Sequence, residues 1–200
     1  MAGEFPALKQ QEVPMTGIGK ISVYMIALFV LSACDSSQTL TESQARQTLQ
    51  DYYDAHPVCT SMAIGFPVEI ANVAYLKGQM EALTKAGLIV VTGTRYRVTT
   101  AGESALHQGA DKFLGGTDIC FAKRSVQKIT VMTVPTEVAG VMIATVTYDY
   151  ALKDLAPWAS EPAMASAFPQ IGTVLGKSQG RATDVLVQTT DGWRHEREVR

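Results

Sequence analysis

The stretch Ile21 to Leu31 is almost wholly apolar, with Lys20 before it and the small residues Ser32 and Ala33 after it. Eleven residues are too few to cross a bilayer, which takes about 20, but they match the apolar region of a secretory signal, about 7–15 residues long. Beyond it the period changes. Leu40, Ala45, Leu49, Tyr52 and Tyr53 recur at near-helical spacing and predict a helix to about Ala55, stopping before Pro57. Thr39 with Glu42, or Thr41 with Gln44, has the spacing of a capping box at its start. Pro57 to Pro67 reads as an irregular or strand-like connection. Val73, Leu76, Met80 and Leu83 predict a second helix, Asn72 to Ala86, with Gly87 at its C-terminal end.

Gly87 to Leu106 reads as a β hairpin with Gly93 near its turn, a return strand through Tyr96-Arg97-Val98-Thr99, and a new helix capped by Thr100. At Asp111 to Asp118 the pair Gly115-Gly116 marks a boundary. Strands follow. Val126, Ile129, Val131 and Val134 recur within Cys120 to Val134, and Pro135 to Gly140 turns the chain. Val141 to Leu152 then places Met142, Ala144, Val146, Tyr148 and Tyr150 on one face, with Thr145, Thr147 and Asp149 on the other. Pro157 to Leu175 carries Met164, Phe168, Ile171 and Leu175 at helical intervals, broken by Pro162 and Pro169 into short pieces. Arg181 to Thr189 and Trp193 to Val199 form a last pair of strands through Asp191-Gly192, a hairpin turn signal.

The residues that close the apolar stretch add chemistry. Leu31-Ser32-Ala33-Cys34 resembles the lipobox of bacterial lipoproteins. That resemblance implies cleavage before Cys34, acylation of its thiol, and a mature protein held on a membrane by two or more acyl chains, where one chain binds only marginally. In lipoproteins of enteric bacteria similar to this one, Asp directly after the cysteine implies retention, so Asp35 favours the inner membrane, facing the periplasm, over the outer membrane. Residues 1–14 carry two acids and one base, the wrong balance for the start of a signal, and a start at Met15 gives the conventional form. The expected organisation is leader and signal over residues 1–33, a tether over 34–39, and domains over 40–112 and 118–200.

The pattern Leu83, Gly87-Leu88-Ile89, Tyr96-Arg97-Val98-Thr99, Gly102 and Leu106 resembles bacterial winged-helix regulators, over about 70 residues from Leu40 to Gln108. The expected fold class is therefore α+β: a winged-helix-like domain followed by a small antiparallel-sheet domain of ββαββ order. In such regulators the helix before the wing enters the major groove. Here that helix offers Lys77 and Lys85 with Glu81 between them, and the wing adds Arg95 and Arg97, a thin footprint for DNA. The net charge of −2 and pI near 5.9 argue the same way, so no nucleic-acid partner is expected.

Besides Cys34 the chain has two cysteines, Cys59 and Cys120, which in an exported protein are expected to pair as a disulfide. His56, His107 and His195 are isolated from one another, and none sits in a metal-binding spacing such as HExxH. His56 lies three residues from Cys59, but an oxidised Cys59 cannot ligate. Gly172 to Ser178 resembles a phosphate loop yet is one residue short between its glycines, so Gly176-Lys177-Ser178 reads as a helix end. No Gly-x-Ser-x-Gly elbow is present, and Asp149 with Asp154 reads as ordinary solvated acids. No catalytic residue, metal or cofactor is expected. Trp158 and Trp193 are the candidate partner contacts, although a Trp beside a turn also covers a core edge. The expected function is a non-catalytic binding or accessory module of the cell envelope, its partners being membrane lipid through Cys34 and an envelope protein. The alternative is a periplasmic inhibitor or immunity-type lipoprotein; a winged-helix DNA-binding regulator ranks below both.

Overall fold

The computed structural model describes residues 39–109 and 115–199. The apolar stretch, Cys34 and the residues 35–38 that follow it lie outside these. Helix α1 spans Glu42–Ala55 and opens on the second of the two capping boxes: the Thr41 hydroxyl accepts from the Gln44 N–H at 3.2 Å, while Gln44 Oε1 accepts from the Thr41 N–H at 3.0 Å. Its Ala45, Leu49 and Tyr52 form the buried stripe. Strand β1, Val58–Met62, and the short β2, Val68–Glu69, follow. The expected second helix is shorter than its apolar spacing suggests. Ile70–Leu76 is a 3₁₀ run interrupted at Val73 (φ −121°, ψ 20°), and α2 proper is Lys77–Lys85, closed by Gly87 at φ +73°.

Strands β3, Ile89–Thr92, and β4, Arg95–Val98, form the expected hairpin around Gly93, and β2 adds to β4, giving the order β2-β4-β3. The helix expected after Thr100 is reduced to a 3₁₀ turn, Gly102–Ser104, held by the Thr99 hydroxyl accepting from the Gly102 N–H at 2.9 Å. Strand β5, Leu106–Gln108, comes next. The remainder is the long β6, Thr117–Met132; β7, Thr136–Val138; β8, Val141–Lys153; the short helices α3, Pro162–Ala167, and α4, Pro169–Leu175; then β9, Gln179–Thr189, and β10, Gly192–His195.

The winged-helix-plus-small-sheet class expected from the sequence is not the fold. The described residues are mostly antiparallel sheet, 42% strand to 34% helix, with the main sheet curled into a half-barrel. Its order is β1-β6-β8-β9-β10, with β5 beside β6 and β7 beside β8. The physical cause is the length of β6. Its first residues pair with β1 and β5, from the stretch expected to be a separate winged helix, and from Lys123 onward it pairs with β8. Register shifts between Val126 and Lys128 and between Ile129 and Val131 bend it along its pairing with β8.

Helix α1 completes the departure. Its buried stripe joins Val126, Ile129, Val146, Tyr148 and Leu186 of the sheet, not α2, so no three-helix cluster forms in front of the wing. Helix α2 packs instead in a second cluster with Ile119, Phe121, Met164, Phe168 and Ile171, under α3 and α4.

Candidate functional site

The densest polar constellation lies where α1 crosses the sheet. The helix carries Gln50 and Tyr53 on the flank of its apolar stripe, toward β6. Among the described residues the edge of β6 past the end of β1 has no strand neighbour, and the Gln50 side chain covers it: Oε1 accepts from the Val126 N–H at 2.9 Å and Nε2 donates to the Arg124 carbonyl at 3.2 Å. Tyr53 then reaches inward. Its hydroxyl donates to Asp184 Oδ2 at 2.5 Å, and the Tyr148 hydroxyl stands 2.6 Å from the same oxygen and 2.7 Å from Tyr53 Oη.

Arg124 closes the group. Nη1 donates to Tyr53 Oη at 3.0 Å and to Tyr148 Oη at 3.3 Å, with the guanidinium 4.6 Å from the Tyr53 ring and 4.2 Å from the Tyr150 ring. Behind this set, Tyr52 is sandwiched between His56 and His195, at centroid distances of 4.2 and 3.7 Å. His195 is 1% exposed. Its Nδ1 accepts from the Arg197 N–H at 3.2 Å, which leaves the proton on Nε2, 3.6 Å from Asp184 Oδ2.

Burial, and then the hydrogen bond to Asp184, push the Tyr53 hydroxyl up to about 12, and the same two causes raise Tyr148. Both phenols stay protonated at neutral pH and act as donors. Burial depresses His195 below its ordinary 6.5, against the pull of Asp184 and Glu196 and with the push of Arg197. Between the depressed value and 6.5 the unfolded chain binds more protons than the folded one, so stability rises with pH across that window and is lost as pH falls through it. The urea midpoint is expected to fall from pH 7 to pH 5 more steeply in the natural chain than in His195→Gln. Parallel profiles would contradict the burial of a neutral imidazole.

Chemically, this constellation fastens α1 to β6, β8, β9 and β10. Its carboxylate oxygen and phenolic protons are committed to one another, and the imidazole is stacked.

Cys59 and Cys120 are bonded directly across the β1–β6 pair. Trp158 and Trp193 are each partly buried, the first against the α2–α4 cluster and the second against the α1 cluster. They lie in different parts of the fold. Gly176-Lys177-Ser178 follow the end of α4. Asp149 pairs with Arg181 at 2.8 Å on the surface. Among the described residues no cluster of three metal-ligating side chains occurs. An open depression of about 550 Å³ lies between Tyr75, Gln79 and Lys85 and the α3 residues Ala163 and Ala167. Cys34 lies outside the described residues.

The Arg124–Tyr53–Tyr148–Asp184 group is absent from the sequence reading. The alternation of β8 put Tyr148 on the core face, but nothing in the sequence pairs it with residues 95 positions earlier and 36 later. No protein-family model, curated protein or solved structure matches the chain.

Proposed function

We propose that the chain is a lipid-anchored, periplasm-facing protein of the bacterial envelope that works by binding a protein partner and not by catalysis. The observation that carries this reading is Leu31-Ser32-Ala33-Cys34 at the end of the apolar stretch Ile21 to Leu31. A cross-strand disulfide between Cys59 and Cys120 supports it, because such bonds persist in oxidising compartments. The binding part of the reading is supported by the use of the densest polar cluster for fastening α1. Held at the membrane near its partner, the protein gains local concentration, so a weak contact suffices. Asp35 favours the inner membrane.

Cys34→Ala is expected to move the protein from the membrane fraction to the soluble fraction, read by fractionation and by the mass of the mature N-terminal peptide. Unchanged membrane association, or an N-terminal peptide without acyl chains, would remove the anchor.

A further inference from the structure

At the start of β6, Thr117, Ile119 and Phe121 are buried while Asp118 and Cys120 between them are only partly so, the alternation of a strand with one face turned outward. The partners across the sheet agree. Cys59 pairs with Cys120, Ser61 and His107 both pair with Asp118, and Ser61 and His107 are exposed. The Ser61 hydroxyl donates to Asp118 on this outer face, beside the bond. The two bonded sulfurs therefore stand on the side of the sheet away from Ile119 and Phe121, and reaching them takes no opening of the core.

One flank of the bond is shaped to receive a reactant. A thiolate attacks a disulfide in line with the S–S bond, from beyond the sulfur that it takes. For Cys120 that side lies away from β1, across β6 toward β5. There an open depression of about 300 Å³ is lined by Ser104, Ala105, His107, Cys120, Phe121 and Trp158. Cys120, and not Cys59, borders it. The charges on its rim nearly balance: Lys123 and Asp154 carry opposite signs, and Asp54 is paired with Lys153 at 2.9 Å, so an anionic sulfur is not turned away.

We propose that Cys120 is a site of thiol–disulfide exchange, at which an external dithiol reduces the Cys59–Cys120 bond in the folded chain. One thiolate of the dithiol bonds to Cys120 Sγ; the Cys59–Cys120 bond breaks, and Cys59 leaves as a thiolate that takes a proton from water. The second thiolate then attacks the dithiol's sulfur in that mixed disulfide. Cys120 leaves as a thiolate and is protonated, the dithiol departs as a disulfide, and two electrons have passed to the chain. Strand β1 has β6 as its one strand neighbour among the described residues, so the exchange loosens an edge strand and leaves the sheet beside it in place. It does not depend on the lipid anchor, because the reaction needs only the folded chain and a dithiol.

The test exposes the full folded chain to glutathione, a monothiol that stops at the first step, and to dithiothreitol, which completes both. After acid quench and alkylation, peptide mapping reads Cys34, Cys59 and Cys120 separately. Glutathione is expected on Cys120 with Cys59 alkylated, and thiols are expected to appear at a rate proportional to dithiothreitol concentration. Ser104→Trp, which fills the depression, is expected to slow the folded chain about tenfold through lost access and to leave the rate in urea unchanged.

A rate that reaches a ceiling as dithiothreitol rises would mean that the chain must open first, and would overturn the proposal. So would glutathione found mainly on Cys59, a chain isolated with both thiols already free, or a folded Ser104→Trp chain that reacts at the natural rate. If Ser104→Trp does not fold, the position of the glutathione adduct and the concentration dependence decide the matter in the natural chain.

Discussion

Asp184→Ala is expected to lower the unfolding free energy by about 2–4 kcal/mol, because it strips the acceptor from buried donors. In the natural chain one carboxylate oxygen faces Tyr53 Oη at 2.5 Å and Tyr148 Oη at 2.6 Å, and Arg124 donates to both phenols behind them. With alanine there, the two hydroxyls keep each other and Arg124, one phenolic proton is left without an acceptor, and the half-buried guanidinium loses the negative charge that balances it through the phenols. The side chain of Asp184 is 18% exposed, so water recovers part of the loss, which is why the upper end of the range for buried pairs is not expected. Tyr148→Phe removes one donor and leaves Tyr53 on the carboxylate, at a cost of about 1 kcal/mol.

The double variant should lose less than the sum of the two single losses, by about 0.5–1 kcal/mol, since both remove the same interaction. Urea unfolding followed by circular dichroism measures all three. A loss within about 0.5 kcal/mol for Asp184→Ala would mean that the network adds nothing to stability.

What was legible in the sequence was local. The Thr41–Gln44 capping box, the turns at Gly93 and Asp191-Gly192, and the alternation of β8 depend on residues a few positions apart, and each is formed. The assembly was not legible, because it depends on which partner a strand chooses. The wing-like pattern from Leu83 to Val98 gives a real hairpin, yet the stripe Ala45, Leu49, Tyr52 fits any apolar face and lies on β6 instead of α2. Strand β6 shows the same limit: Asp111 to Asp118 reads as a boundary because of Gly115-Gly116, whereas Thr117–Ala122 pair with β1.

His195 failed for a related reason. The strand expected to run from Trp193 to Val199 ends at His195, and Tyr52 covers that ring. The functional reading lies elsewhere again. It comes from the lipobox-like Leu31-Ser32-Ala33-Cys34, which would be processed by recognition and not by folding, and which the packing of the described residues neither requires nor opposes.

Removing the Cys59–Cys120 bond, by Cys59→Ser with Cys120→Ser or by reduction, is expected to cost about 4 kcal/mol in the chain-entropy account, because the bond closes a loop with a sequence separation of 61. That loop contains β2, α2, the β3–β4 hairpin and β5, and β1 has only β6 as its strand neighbour among the described residues. Without the bond, the unfolded chain recovers the freedom of the whole loop, and β1 is held to β6 by main-chain hydrogen bonds, the Ser61–Asp118 side-chain hydrogen bond and the packing of Met62. Two signatures separate these effects. The slope of unfolding free energy against urea should steepen as the unfolded state expands, and amide exchange should speed up in β1 before it does in β8. The serine pair under oxidising conditions should behave as the reduced natural chain does. If reduction left the urea midpoint unchanged, the β1–β6 pairing would already be secured by packing around Ile119 and Phe121, and the bond would add nothing to the stability of the folded chain.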